Sequence, residues 1–343
     1  MAFAVHISQM QAGDRTGDVY ELTDTAGTVR AEVWPQWGFN CLRWQVRQED
    51  GRWADIIFTM PDWESNPVPT RSGHPILFPF PGRLRDGKLH FEGQEYQLPL
   101  NDSTKQHAIH GFTPRNPWRV IEWNADEQSA FVTGQFNLAK DLPAALPTWP
   151  SDFNLTVTYR LFTNKLRVEA RVENVGSKPL PFGIGYHPYF RLPGVNDVNI
   201  NDHILQANVT ELWEAENNLP TGKRIPLPQK LDFRDSKMIG SAELDHVFTS
   251  VPTDSSRVGG MGELAVLSHP EAMGCVQFLI SPSFRELVLF TPAHRHAIAI
   301  EPYTCSADAS NLAARGIESG WKVIPVGEKW EESVEYRWVV AEL

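Results

Sequence analysis

Strict two-residue alternation is the feature that most limits what this chain can become. Leu155-Thr156-Val157-Thr158-Tyr159 leads, through Thr163-Asn164-Lys165, into Leu166-Arg167-Val168-Glu169-Ala170-Arg171-Val172. Successive side chains of an extended strand point to opposite faces, so the second run has one apolar face and one face of alternating charge. The polar turn between the runs predicts an antiparallel hairpin with one wet face. Comparable strands are expected at residues 30–33, 42–46, 131–135, 276–280, 287–290 and 334–339. Helical spacing is weak everywhere and is best at residues 307–315. The 26 prolines and 24 glycines are scattered, and no strand-helix rhythm is present, which favours an all-β sandwich over an α/β fold. The pattern by itself leaves sandwich, barrel and propeller open. Residues 141–150, with Pro143, Pro147 and Pro150, read as a surface loop between strands and not as a linker, so residues 1–343 are expected to form one domain.

A formal charge of -11 without a clustered basic footprint argues against nucleic acid or an anionic membrane surface as partner. The first residues lack a basic segment followed by a long apolar run, and no stretch approaches the eighteen or so apolar residues of a spanning helix. A soluble, cytoplasmic protein is expected. Cys41, Cys275 and Cys305 are far apart, odd in number and outside metal-type spacing, so a disulfide framework or zinc ribbon is not expected. Cys305 lies near Glu301 in sequence but has no evident partner base, so it reads as a neutral thiol.

Four segments carry candidate chemistry. In Ile298-Ala299-Ile300-Glu301-Pro302-Tyr303-Thr304 a lone carboxylate follows an alternating apolar run and precedes a proline expected to end the strand. Glu301 is there either half of an ion pair, with Arg295 the nearby cation, or a catalytic acid or base. The others are Gly82-Arg83-Leu84-Arg85-Asp86-Gly87-Lys88-Leu89, His107-Ala108-Ile109-His110-Gly111-Phe112 and Gly185-Tyr186-His187-Pro188-Tyr189-Phe190. Each sets cationic or imidazole groups beside glycine, proline or aromatic residues. His107 and His110 are spaced like a short metal motif, but no third ligand or suitable helix accompanies them, so no metal is expected.

Together these segments resemble the aldose 1-epimerase (galactose mutarotase) family over roughly residues 28–338. The resemblance implies one large antiparallel β-sandwich of the galactose mutarotase type, with few short helices and a sugar site on a concave sheet. It implies a cofactor-free isomerase that interconverts the anomers of a free hexose, a small-molecule sugar being the partner. Ring opening and closure require one group to take the C1 hydroxyl proton and another to protonate the ring oxygen, and a base and an acid on opposite sides of the ligand are expected. Glu301, in Glu-Pro-Tyr-Thr followed by Ser306-Ala307-Asp308-Ala309-Ser310-Asn311, matches the family's general base, and His187, in His-Pro-Tyr-Phe, its general acid. His110 in His-Gly-Phe matches a hydrogen-bond donor to the sugar, and Asp245 in Leu244-Asp245-His246-Val247-Phe248 a substrate-binding aspartate. Arg83 matches a substrate-binding arginine, although Gly82 stands where the family has asparagine.

Two other readings stay open. A hexose-6-phosphate 1-epimerase would need a further arginine for the phosphate, with Arg85 and Arg115 as candidates. A non-catalytic carbohydrate-binding or regulatory protein on the same sandwich would need neither a proton donor nor an acceptor. A glycoside hydrolase would need a second convincing carboxylate. Trp37, Trp149 and Trp213 are candidates for stacking on a sugar face, and selectivity among aldoses is assigned to loops near residues 60–75 and 203–240.

Overall fold

The computed structural model of the chain describes residues 2–66, 68–195, 199–251 and 260–340. Its principal layers are two antiparallel sheets, of 13 and 9 strands. The alternating hairpin lies in the nine-stranded sheet, where Phe153–Phe162 pairs with Lys165–Asn174 and this strand pairs with Lys329–Val340. Leu155, Val157, Tyr159 and Leu161 are fully buried, while the residues between them are only half-buried. That is the wet-faced hairpin the alternation demands. The other expected strands form as well, within Val29–Trp34, Asn40–Arg47, Ala130–Asn137, Gly274–Ile280, Glu286–Phe290 and Lys329–Val340. The weak helical spacing at residues 307–315 becomes a short helix, Ala309–Ala314.

The two sheets close on one apolar core, which makes the fold a β-sandwich. Phe190 of the larger sheet meets Phe278 and Tyr336 of the smaller, with ring centroids 4.7 and 5.2 Å apart. Between the layers His74 is wholly buried, with Nδ1 3.0 Å from the Tyr159 hydroxyl and Nε2 2.8 Å from the Tyr336 hydroxyl. Burial drives its pKa down to about 3, so the imidazole is neutral and serves as a satisfied polar tie between the sheets.

The strand that matters most for function is Ile298–Tyr303, near the middle of the larger sheet. Alternation sends Ile298 and Ile300 into the inter-sheet core. It sends Ala299, Glu301 and Tyr303 to the opposite face. Pro302 does not end this strand: it pairs with Leu287, and the strand continues to Tyr303, which pairs with Gly185 and whose carbonyl accepts the Arg285 N–H at 3.0 Å. The proline gives up one donor while its neighbours keep their bonds.

Three further expectations are corrected. Residues 141–150 are not simply a loop, because a helical turn, Leu138–Asp141, and a 3-10 segment, Pro143–Thr148, occupy most of them, and Trp149 is buried in the main core. Residues 203–240 hold an edge hairpin, Glu211–Glu216 with Leu219–Pro226, turned by Asn217 and Asn218 at φ 52° and 61°. Two residues with positive φ suit the twist of a tight hairpin. The stretch around residues 60–75 carries two 3-10 turns, Trp63–Ser65 and Pro69–Arg71, and Trp63 packs against Trp34 and Trp37. No helix among the described residues is long and apolar enough to cross a membrane.

Candidate active site

The register of three adjacent strands builds the floor of a cavity. Asp245–Thr249 pairs with Glu286–Phe290, which pairs with Ile298–Tyr303, so Val247, Val288 and Glu301 line up across the sheet, as do Asp245, Phe290 and Ala299. The edge hairpin adds a wall through Trp213, Ala215, Asn218 and Pro220. The opposite wall comes from the short Arg83–Leu84 and Ala108–Ile109 pair and from His110, which follows it. Arg83, His110, His187, Asp245 and Glu301, five residues far apart in sequence, thus line one cavity.

Glu301 is 1% exposed and His187 8% exposed, so each ionised form is costly in isolation. Glu301 Oε1 lies 3.5 Å from His187 Nε2. The Tyr303 hydroxyl donates to Glu301 Oε2 at 2.6 Å. Burial pushes the Glu301 carboxyl well above the usual range, the bond from Tyr303 opposing this and the Asp245 charge adding to it. Burial lowers the His187 imidazole to about 4. Burial thus disfavours the charged form of both groups, and at this distance they titrate as a coupled pair. Among the described residues no hydrogen-bond partner reaches the buried His187 Nδ1, and the ring stacks on Tyr189 at 5.0 Å between centroids. Arg295 is no ion-pair partner of Glu301, since its guanidinium bonds Asn201 and the carbonyls of Gly240 and Ala242.

His110 is fixed in tautomer as well as place. The Gly82 N–H donates to its Nδ1 at 3.2 Å, which puts the proton of the neutral ring on Nε2. Burial, together with the charges of His187, Arg115 and Arg83, keeps its pKa well below the ordinary value. Gly82 has φ +69°, and a Cβ there would sit 2.8 Å from the Ala307 Cβ. Glycine at this position is therefore a steric requirement, and its contribution to the site is the backbone donor to His110. His107 faces away, its Nδ1 accepting the Asp86 N–H at 3.1 Å. Among the described residues no group of three or more His, Cys, Asp or Glu side chains is placed to hold a metal ion.

Arg83 keeps 22% side-chain exposure and lies 3.7 Å from the buried Asp102. Burial raises the Asp102 carboxyl, but bonds from Thr104 and from the backbone of His107 and Gln106 outweigh it and hold the pKa down to about 2. The Asp308-Ala309-Ser310-Asn311 motif acts on this same segment. The Asp308 N–H donates to the Arg83 carbonyl at 2.7 Å, its carboxylate accepts from the Arg85 N–H, and Asn311 Nδ2 donates to the Lys88 carbonyl. The motif downstream of Glu301 is thus a clasp for the wall that carries Arg83.

Asp245 lies exposed at the mouth, where Asn218 Nδ2 donates to its Oδ2 at 3.3 Å. Of the tryptophans, Trp213 alone lines the cavity, its Nε1–H donating to Glu286 Oε2 at 3.0 Å. Trp37 belongs to a cluster under the first sheet edge and Trp149 to the main core. Arg85 pairs with Asp308 and lies outside the cavity lining, as does Arg115. Cys305 is buried, with its thiol pushed up first by burial. Tyr303 and Asn218 also line the cavity and were not among the residues expected from the sequence. The Asn217-Asn218 pair between two short runs was the available signal for the hairpin that carries Asn218.

Residues 18–337 match the family model described as aldose 1-epimerase. Among characterised relatives, the galactose mutarotase of Homo sapiens is 26% identical over 220 residues, covering 64% of this chain and 60% of the relative. The uncharacterised protein YihR of Escherichia coli is 27% identical over 240 residues, 69% of this chain and 71% of its own. Two solved structures share the fold. A galactose mutarotase-like protein from Clostridium acetobutylicum superposes with a TM-score of 0.83 at 20% identity, covering 98% of this chain and 99% of the other. The galactose 1-epimerase of Lactobacillus acidophilus gives 0.75 at 20% identity, covering 99% and 100%.

Proposed function

Since the chain belongs to the aldose 1-epimerase family, we propose that it interconverts the α and β anomers of a free hexose through Glu301 as general base and His187 as general acid. The observation that carries this reading is the buried Glu301–His187 pair, 3.5 Å apart at the cavity floor. The C1 hydroxyl oxygen and the ring oxygen are bonded to the same carbon. A base and an acid that serve them must therefore both reach the neighbourhood of C1, and the 3.5 Å separation of the pair is compatible with that.

Glu301 takes the proton of the anomeric hydroxyl while His187 delivers one to the ring oxygen, and the C1–ring oxygen bond breaks to leave an open aldehyde. Rotation about C1–C2 presents the other face of the carbonyl. Reclosure returns both protons, so the pair ends with the proton count it began with and needs no external acid, base or redox partner. Each well-placed proton transfer contributes on the order of 10²- to 10⁴-fold. His110 offers Nε2–H to a hydroxyl or to the ring oxygen, Arg83 a fork of donors for adjacent hydroxyls, and Asp245 an acceptor at the mouth.

A free sugar fits this lining better than a sugar phosphate. Of the charged side chains in the lining, only Arg83 is a fixed cation, against the carboxyl groups of Asp245 and Glu301, and a phosphate dianion would lack a cluster of donors. Polarimetry of freshly dissolved α-D-glucose, α-D-galactose and glucose 6-phosphate tests the proposal. Acceleration is expected with a free hexose and its loss in Glu301→Gln of confirmed fold. Acceleration with the phosphate alone, or none with any sugar, would overturn it.

A further inference from the structure

Glu301 has two oxygens with different surroundings. Oε1 lies beside His187 in the cavity, whereas Oε2 is held by the Tyr303 hydroxyl at 2.6 Å. Among the described residues that hydroxyl is the one hydrogen-bond donor to Glu301. We propose, resting on the sugar-epimerase reading for its catalytic meaning, that Tyr303 is a positioning residue: it clamps Oε2 and so leaves Oε1 as the oxygen that exchanges protons with the ligand.

Three observations support the clamp. First, alternation along Ile298–Tyr303 puts residues 301 and 303 on the same face, so the phenol reaches the carboxylate without leaving its strand. Second, the ring is immobilised: Tyr303 is 2% exposed and packs against Leu77 and Val288. Third, the neighbouring strand makes room for it. Gly185 pairs directly with Tyr303, and a Cβ at residue 185 would sit 2.4 Å from Tyr303 Cδ1 and 2.8 Å from the Pro81 Cβ. The glycine that opens the His187 segment thus also determines where the tyrosine ring lies.

The direction of the bond follows from its surroundings. Burial, then the adjacent Glu301 charge, holds the Tyr303 phenol far above its ordinary pKa, so it remains a donor throughout the working range. The groups facing the pair are His187 from the segment before Tyr189, Asp245 from the edge-side strand, Tyr189 against His187, and His110 across the cavity. Glu286 lies opposite Tyr303 on the next strand, with Oε2 bonded to Trp213 and Oε1 3.3 Å from Arg285. None of them donates to Glu301 Oε2. Removing the hydroxyl therefore leaves the ionised carboxylate without a donor, and the proton is retained to higher pH.

The test uses Tyr303→Phe, which keeps the ring, and Gly185→Ala, which keeps the hydroxyl but displaces the ring. In mutarotation assays across pH, Tyr303→Phe should lower kcat about tenfold to a hundredfold with little change in KM, the loss expected for a hydrogen bond to a charged group. Its alkaline limb should move up by about one pH unit. Gly185→Ala should move the same limb in the same direction. A second readout does not depend on turnover: ¹³C NMR titration of the Glu301 carboxyl, assigned with Glu301→Gln, should show its pKa rising in Tyr303→Phe while the thermal midpoint changes little. An unchanged Glu301 titration and an unchanged pH profile would overturn the clamp. A wild type without activity on any sugar, combined with a shifted titration, would sink the epimerase reading and leave the clamp standing.

Discussion

Two buried histidines, His74 with no exposed surface and His187 with 8%, behave as opposites. His74 lies between the sheets with both ring nitrogens bonded to tyrosine hydroxyls. His187 lies on the outer face of the larger sheet with Nδ1 unpartnered and Nε2 opposite a carboxyl group that also resists ionisation. Burial lowers the pKa of both, to about 3 and about 4. Desolvation alone therefore does not mark a functional histidine. What separates them is satisfaction: the first cluster is closed, and the second keeps donor and acceptor capacity for something that is not protein.

The sharpest way to break this contrast is to remove each ring in turn. His187→Asn should reduce mutarotase activity by roughly 10²- to 10⁴-fold, and urea unfolding should find only a small change in stability, because among the described residues the ring makes no hydrogen bond and its nearest polar neighbour, Glu301, stands 3.5 Å away. His74→Phe should do the reverse. It strands the buried Tyr336 hydroxyl, while the Tyr159 hydroxyl keeps its 3.1 Å bond to the carbonyl of residue 74, and is expected to cost about 1–3 kcal/mol, with activity per folded molecule retained. Equal stability losses in the two variants would erase the distinction.

Acid sharpens the same contrast with a somewhat smaller effect. A histidine whose folded pKa is depressed contributes stability that is complete above its unfolded value of 6.5 and is lost as pH falls through the folded value. For His74 that window runs from 6.5 down to about 3, and for His187 from 6.5 to about 4. Glu301 has the opposite sign: its raised pKa adds stability below its ordinary value of 4.5 that is lost as pH rises. In denaturant unfolding from pH 7 to pH 4, the wild type should lose stability relative to His74→Phe, by on the order of a few kcal/mol in the difference. Parallel curves for the two proteins would mean that His74 takes up its proton without loss of the fold.

The contrast also explains what the sequence could disclose. The alternating runs of the core strands were legible because a sandwich layer with one wet face writes its period into the chain. The clasp around Arg83 was legible only as a motif, since its bonds join residues more than two hundred positions apart. The side-by-side placement of Glu301 and His187 was not legible: it depends on the register between Ile298–Tyr303 and the two short strands flanking His187, and two-residue strands carry no periodicity. The edge hairpin with Trp213 was hidden for a related reason. Pro220 and Pro226 look like loop residues, yet the outermost strand tolerates prolines because one side of its backbone needs no partner.

That hairpin supplies the smallest expected effect, at the rim where the open cluster meets solvent. Asn218 and Asp245 are both exposed and joined by one 3.3 Å bond, so water competes for every donor and acceptor involved. Asn218→Ala should therefore raise KM only about twofold to tenfold with kcat unchanged, as for loss of a single exposed positioning bond. Asp245→Ala should cost more, because it removes the acceptor as well as the charge. A fall in kcat for Asn218→Ala would mean that the rim governs the Glu301–His187 pair through the Asp245 charge. The open cluster would then extend from the cavity floor to its mouth, and satisfaction of the buried ring alone would no longer distinguish His187 from His74.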